Sequence, residues 1–124
     1  MSNVVFFDRA AKRPVESARS VTIRTFNDAF RRSFIGGIVV ETAAVLALSE
    51  PDRMALIRAV RRFDRFHADN DPQGERDFGA VEAAGERWFW KIDAYDRSMR
   101  SSSPDPTDPD VTIRVLTVMR ADEY

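Results

Sequence analysis

Cysteine is absent from this 124-residue chain, which excludes a disulfide framework, a thiolate metal site and a thiol nucleophile. Histidine occurs once, at His67, so a zinc site would have to draw the rest of its shell from carboxylates. The five glycines form no glycine-rich phosphate loop, and no G-x-S-x-G elbow is present. Asp77-Phe78-Gly79 is therefore no kinase signature, since the HRD segment is missing as well. No stretch approaches the roughly 20 apolar residues that cross a bilayer. The apolar run Val4–Phe7 is too short for a signal peptide, so a cytoplasmic protein without a membrane partner is expected.

What is present describes one globular domain. Apolar residues make up 44% and charged residues 31%, an ordinary balance for a packed core under a solvated surface. The net charge of −1 conceals an asymmetry: residues 1–63 hold 11 Arg/Lys against 6 Asp/Glu, and residues 64–110 hold 6 against 12. Either the two halves neutralise each other or they offer two partner surfaces.

Val4–Phe7 reads as a short edge strand or a frayed terminus, and residues 1–20, interrupted by Pro14, as an N-terminal arm ahead of a single domain at 21–124. Ile23, Phe26, Phe30 and Phe34 recur at helical spacing, and Gly36-Gly37 ends the run as a glycine C-cap. Arg24, Arg31 and Arg32 fall off that stripe and are expected in solvent. Ile38–Val40 reads as a strand, and 42–48 as a loop or a helical turn. Ser49-Glu50-Pro51-Asp52 opens a second helix in the manner of a capping box. It runs to Asn70-Asp71-Pro72, with Leu56, Ala59, Val60, Phe63 and Phe66 inward and Arg53, Arg58, Arg61, Arg62 and Arg65 outward.

Phe78–Ala83 and Arg87–Tyr95 predict a β-hairpin around Ala84-Gly85. Its register sets Glu82 opposite Arg87, Val81 opposite Trp88, and Gly79 opposite Trp90, whose ring can cover the bare glycine. Both faces of the second strand carry aromatic mass, so it is central, with Ile38–Val40 as neighbour. Asp108-Pro109-Asp110 carries N-cap signals, and a helix is predicted over 111–122, although VTIRVLTV also suits a strand. The fold class is α+β: a small antiparallel sheet centred on the 78–95 hairpin, packed with two or three helices.

Several motifs occur together: Asn27-Asp28 with Arg31, Gly36-Gly37, Asn70-Asp71-Pro72 with Gly74-Glu75, Asp77-Phe78-Gly79, and Trp90-Lys91-Ile92-Asp93. Tyr95-Asp96, Ser103-Pro104-Asp105-Pro106, Arg114-Val115-Leu116-Thr117 and Glu123-Tyr124 continue the series. Over about residues 25–124 this pattern resembles the bacterial domain of unknown function 3768 family. Arg76 stands where the family carries histidine, Ala94 where it has the first of two tyrosines, and Arg120 where it has an apolar residue. If that histidine were a general base, Arg76 could not replace it, because guanidinium stays protonated in proteins. The resemblance implies a bacterial setting, often among mobile-element genes, and implies no activity.

Four chemical readings compete. Asp69, Asp71, Gln73, Gly74, Glu75 and Asp77 resemble the opening of a calcium loop, but Ala80 sits where the bidentate glutamate belongs. Asp71, Glu75, Asp77, Lys91 and Asp93 could serve a Mg²⁺- or Ca²⁺-assisted hydrolase or nuclease, although Phe89 stands where the acid before Lys91 belongs. Arg53, Arg58, Arg61, Arg62 and Arg65 could meet nucleic-acid phosphates. The leading expectation needs no cofactor: a protein-binding modulator or inhibitor of a host machine, of anti-restriction or anti-CRISPR type. Its interaction rim would comprise Arg76, Trp88, Tyr95, Asp96 and Arg97.

Overall fold

The computed structural model describes residues 17–124. Val4–Phe7 and most of the expected arm lie outside the described residues. Residues 18–20 of that span are helical: Ser17 caps a helix from Ala18 to Ser33 (α1), its Oγ accepting from the Ser20 amide at 3.0 Å. Phe34, not a glycine, takes the left-handed cap conformation (φ 61°), and its N–H returns to Phe30 O at 2.7 Å. Gly36 reaches φ 110° two residues later. Gly37 serves close approach instead: a Cβ there would collide with the Arg114 carbonyl and the Phe30 ring.

Ile38–Glu41 forms β1 and Ala43–Leu46 a single helical turn (α2). Ser49 caps α3, Glu50–Arg61, through the Asp52 amide at 3.4 Å, as the capping signal predicted. This helix stops at Arg61, well before the expected Asn70-Asp71-Pro72. Residues 63–67 are irregular. Phe63 and Phe66 nevertheless pack inward, meeting Trp90 edge-on with centroids 5.6 and 6.1 Å away. Burial of these rings was legible in their apolar character; the helix was not needed to achieve it.

The hairpin has the expected register. Phe78–Ala83 (β2) and Glu86–Tyr95 (β3) pair antiparallel, with Glu82↔Arg87, Val81↔Trp88 and Gly79↔Trp90 opposed. Ala84 (φ 53°) and Gly85 (φ 73°) both turn left-handed, the geometry that matches the twist of flanking strands. Trp90 lies against Gly79 so closely that any Cβ there would strike the indole.

Residues 111–122 correct the helix expectation. The capping signals are used, Asp108 Oδ1 accepting from the Asp110 amide at 2.8 Å, but they serve one 3₁₀ turn at Pro109–Val111. Ile113–Arg120 is then a strand, β4, and Ala121–Glu123 a closing 3₁₀ turn. The β-branched run wins because β4 fills the slot between β3 and β1. The sheet order is β1-β4-β3-β2, with β1 parallel to β4 and the other pairs antiparallel. β3 is interior as predicted, but its second neighbour is β4, not Ile38–Val40.

The helices pack on one sheet face. Phe30, Val45, Leu56 and Val60 meet Trp88, Trp90, Ile92, Leu116 and Val118 in a single buried cluster. The fold class is α+β. No helix among the described residues is long and apolar enough to cross a membrane.

Candidate functional site

The polar motifs converge on one seam. Asn27 and Arg31 follow Ile23 at i+4 and i+8, so α1 turns them toward the sheet along with Phe30. Arg31 is fully buried, and Asn27 and Asp28 are 3% and 8% exposed. This overturns the expectation of a solvated Arg31; Arg32 is exposed as predicted. Arg24, half-buried, donates to Gly74 O at 3.4 Å.

Each buried charge in the seam has partners. Arg31 Nη1 meets Asp28 Oδ1 at 3.1 Å, and its Nη2 donates to Phe63 O at 3.0 Å. Its guanidinium carbon lies 5.0 Å from the Trp90 ring centroid and 5.3 Å from that of Phe66. Asp28 Oδ2 accepts from Arg76 Nη1 at 2.9 Å. Asn27 bridges two segments: Nδ2 donates to Glu75 O and Oδ1 accepts from Arg114 Nε, both at 2.9 Å. Arg114 also donates to Pro106 O and covers the Phe26 ring at 5.0 Å. Burial lowers the pKa of both Arg31 and Arg114, yet guanidinium keeps its proton.

The 70–77 bend is held as a structured turn. Asn70 Oδ1 accepts from the His67 amide at 2.9 Å, and its Nδ2 donates to Arg65 O at 2.8 Å. Asp71 Oδ1 accepts from the Arg76 amide at 3.0 Å, with Gly74 (φ 71°) and Arg76 (φ 53°) left-handed. Asp77 O then accepts from Ile92 N at 2.8 Å, joining the bend to the tryptophan-bearing strand. Burial, then the Asp77 charge, raises the pKa of Glu75. Burial raises that of Asp77 too, against its own backbone hydrogen bond and with the charges of Asp71 and Asp93 adding. Lys91 pairs with Asp93 at 3.2 Å on the sheet face away from the helices.

The acids Asp71, Glu75, Asp77 and Asp93 thus share one end of the molecule. No group of three or more His, Asp or Glu among the described residues has metal-holding geometry, and that includes Asp69, Asp71, Glu75 and Asp77. The interaction rim also needs correction. Trp88 is fully buried, its indole N–H donating to Ala83 O at 2.8 Å, so it anchors the core. Arg76 is committed to Asp28 and to the Phe66 ring, 5.1 Å away. Tyr95 and Asp96 are half-buried and Arg97 is exposed. Asp96 Oδ1 accepts from Ser98 Oγ at 2.8 Å and from the Arg100 amide at 3.1 Å, organising the turn after β3. Of the outer arginines, Arg53 is bound bidentately by Glu41 at 2.7 and 2.8 Å, and Arg65 lies beyond the helix.

Asn27, Asp28, Arg31 and Arg114 were not singled out as a unit by sequence reasoning. The available signal was the i+4 spacing that puts Asn27 and Arg31 on the apolar stripe of α1.

The fold and seam define a small α+β domain in which one sheet face is roofed by helices and pinned by buried arginines. The chain belongs to the family described as "Protein of unknown function (DUF3768)", which it matches over residues 41–123. No curated protein and no solved structure matches it. The matched span begins after α1, so the seam joins matched residues (Glu75, Arg76, Arg114) to Asn27, Asp28 and Arg31 outside it.

Proposed function

We propose that the protein is a small protein-binding modulator that docks through the sheet face turned away from its helices. One observation carries this reading. Phe78, Phe89 and Tyr124 form an aromatic trio on that face, with centroids 5.2, 5.6 and 5.8 Å apart, and Ile38 and Val40, 45% and 40% exposed, lie on the same face at the other edge of the sheet, across β4. Aromatic and aliphatic groups at a sheet surface are what a protein partner can bury. Strand alternation places Lys91, Asp93 and Tyr95 on the same face as Phe89, giving a polar rim that continues into Asp96 and Arg97. Of the groups suited to proton or metal chemistry, Asp71 holds the Arg76 amide and Lys91 pairs with Asp93.

The bacterial mobile-element setting implied by the resemblance makes a host machine the partner class, in the manner of an anti-restriction or anti-CRISPR protein. The test is affinity capture from host lysate with the wild type, Val40→Glu and Tyr124→Ala side by side. A partner retained by the wild type and lost from both folded variants is expected. No retained partner, together with hydrolysis of a nucleic acid or nucleotide by the purified protein, overturns the proposal.

A further inference from the structure

A second surface stands apart from the aromatic face. Arg32 from the end of α1, Arg58 and Arg61 from α3 and the C-cap residue Arg62 line a half-open cleft of about 310 Å³, with Met54 and Ile57 as its apolar lining. The two helices are locked there: Arg61 Nε donates to Arg32 O at 2.8 Å, and its guanidinium carbon lies 5.6 Å from the Phe34 ring centroid. Two walls of the cleft are therefore fixed relative to each other. Among the described residues no carboxylate pairs with Arg58, Arg61 or Arg62; the nearest acid to Arg32 is Asp28, at 3.9 Å. Four guanidiniums gathered with one distant acid among the described residues, Asp28 beside Arg32, repel one another, and a polyanion relieves that repulsion.

We infer that this cleft binds the phosphodiester backbone of a nucleic acid. Guanidinium presents a planar fork of donors that matches phosphate oxygens. Arg58 and Arg62 are one helical turn apart on the same side of α3, with Arg61 beside them, so a strand can be followed along the helix. The structure also decides membership of this surface: Arg53 leaves it for Glu41, and Arg32 joins it from another helix. Among the described residues no aromatic lines the cleft, and Phe34 beside it lies beneath Arg61, so these residues give bases no stacking platform. Recognition is of backbone charge and is independent of base sequence.

Anisotropy titration of the full chain with a labelled 20-base-pair DNA and with a single-stranded RNA of equal charge provides the test. Four phosphate contacts to duplex DNA give a slope of log affinity on log salt of about −3 to −4. Arg58→Glu/Arg62→Glu is expected to weaken binding by at least about tenfold and to flatten that slope by about two. Arg58→Gln/Arg62→Gln, gentler on folding, moves affinity the same way, and Arg100→Glu leaves it unchanged. Binding of both probes supports the backbone assignment. It is overturned by absence of DNA binding at low salt, by arginine variants that bind like the wild type, or by polyglutamate that competes as well as DNA at equal charge.

Discussion

Arg31 and Arg62 carry the same guanidinium on neighbouring helices and have opposite surroundings. Arg31 is sealed under Trp90 and Phe66 and gives its Nη1 to Asp28 and its Nη2 to Phe63 O, while its buried Nε has no partner among the described residues. Arg62 lines an open cleft with no acid among the described residues that line it. Around the first, each charge pins one segment to another: α1 to the 70–77 bend, and the bend's neighbour Arg114 to the loop at Pro106. Around the second, like charges are held together by helix packing and left for a ligand to neutralise. Arginine content therefore says little until partners are known; availability of an acid or carbonyl separates a rivet from a binding surface.

Substitutions should separate the two regions, beginning with the seam. Arg31→Ala leaves Asp28 short of a partner and Phe63 O without its donor in a buried site, and a loss of about 3–5 kcal/mol is expected in denaturant unfolding. A loss under about 1 kcal/mol would mean that water replaces the guanidinium and that the seam is no rivet.

Asn27→Ala should cost less, about 1–3 kcal/mol, because it strips partners from Arg114 Nε and Glu75 O without unpairing Asp28. Equal costs for Asn27→Ala and Arg31→Ala would show that the charge itself contributes little.

The third test uses pH. Glu75 has a raised pKa in the folded protein, chiefly from burial and then from Asp77. The folded state therefore holds this proton more tightly than the unfolded chain, and its contribution to stability falls as pH rises from the ordinary value of 4.5 through the raised one. Glu75→Gln should remove that decline, so the variant gains on the wild type across this window and holds a constant advantage above it. Parallel stability curves from pH 4 to 8 would sink this assignment.

The smallest effect belongs to the cleft. Arg58→Gln/Arg62→Gln should change unfolding stability by no more than about 0.5 kcal/mol, since neither side chain has an acid partner among the described residues. A larger destabilisation would make the cleft arginines structural after all.

Much of the fold is legible in the residues. Ala84-Gly85, the alternating Trp88, Trp90 and Ile92, and the Gly79–Trp90 opposition yield the hairpin with its register, because period-two patterning allows no slip without exposing the tryptophans. The Ser49-Glu50-Pro51-Asp52 start is equally local. The end of α3 was not legible: Phe63 and Phe66 fit a helical stripe, yet they pack half-buried against the core from an irregular segment. The candidate seam was half legible. Its motifs stand out in the sequence, but local pattern puts Arg31 in solvent and Arg76 and Trp88 on a rim, whereas Arg31 and Trp88 are core.

What the sequence alone determined here is whatever depends on neighbours along the chain: caps, the hairpin turn, and the strand alternation that buries the tryptophans. Tertiary structure decided the rest, because long-range pairing overrides local preference. Asp108-Pro109-Asp110 could start a helix, but β4 gained hydrogen bonds on both sides by entering the sheet between β1 and β3. The same holds for charge: Arg31, Arg53 and Arg62 look alike in a sequence, and only the folded chain assigns one to Asp28, one to Glu41 and one to open solvent.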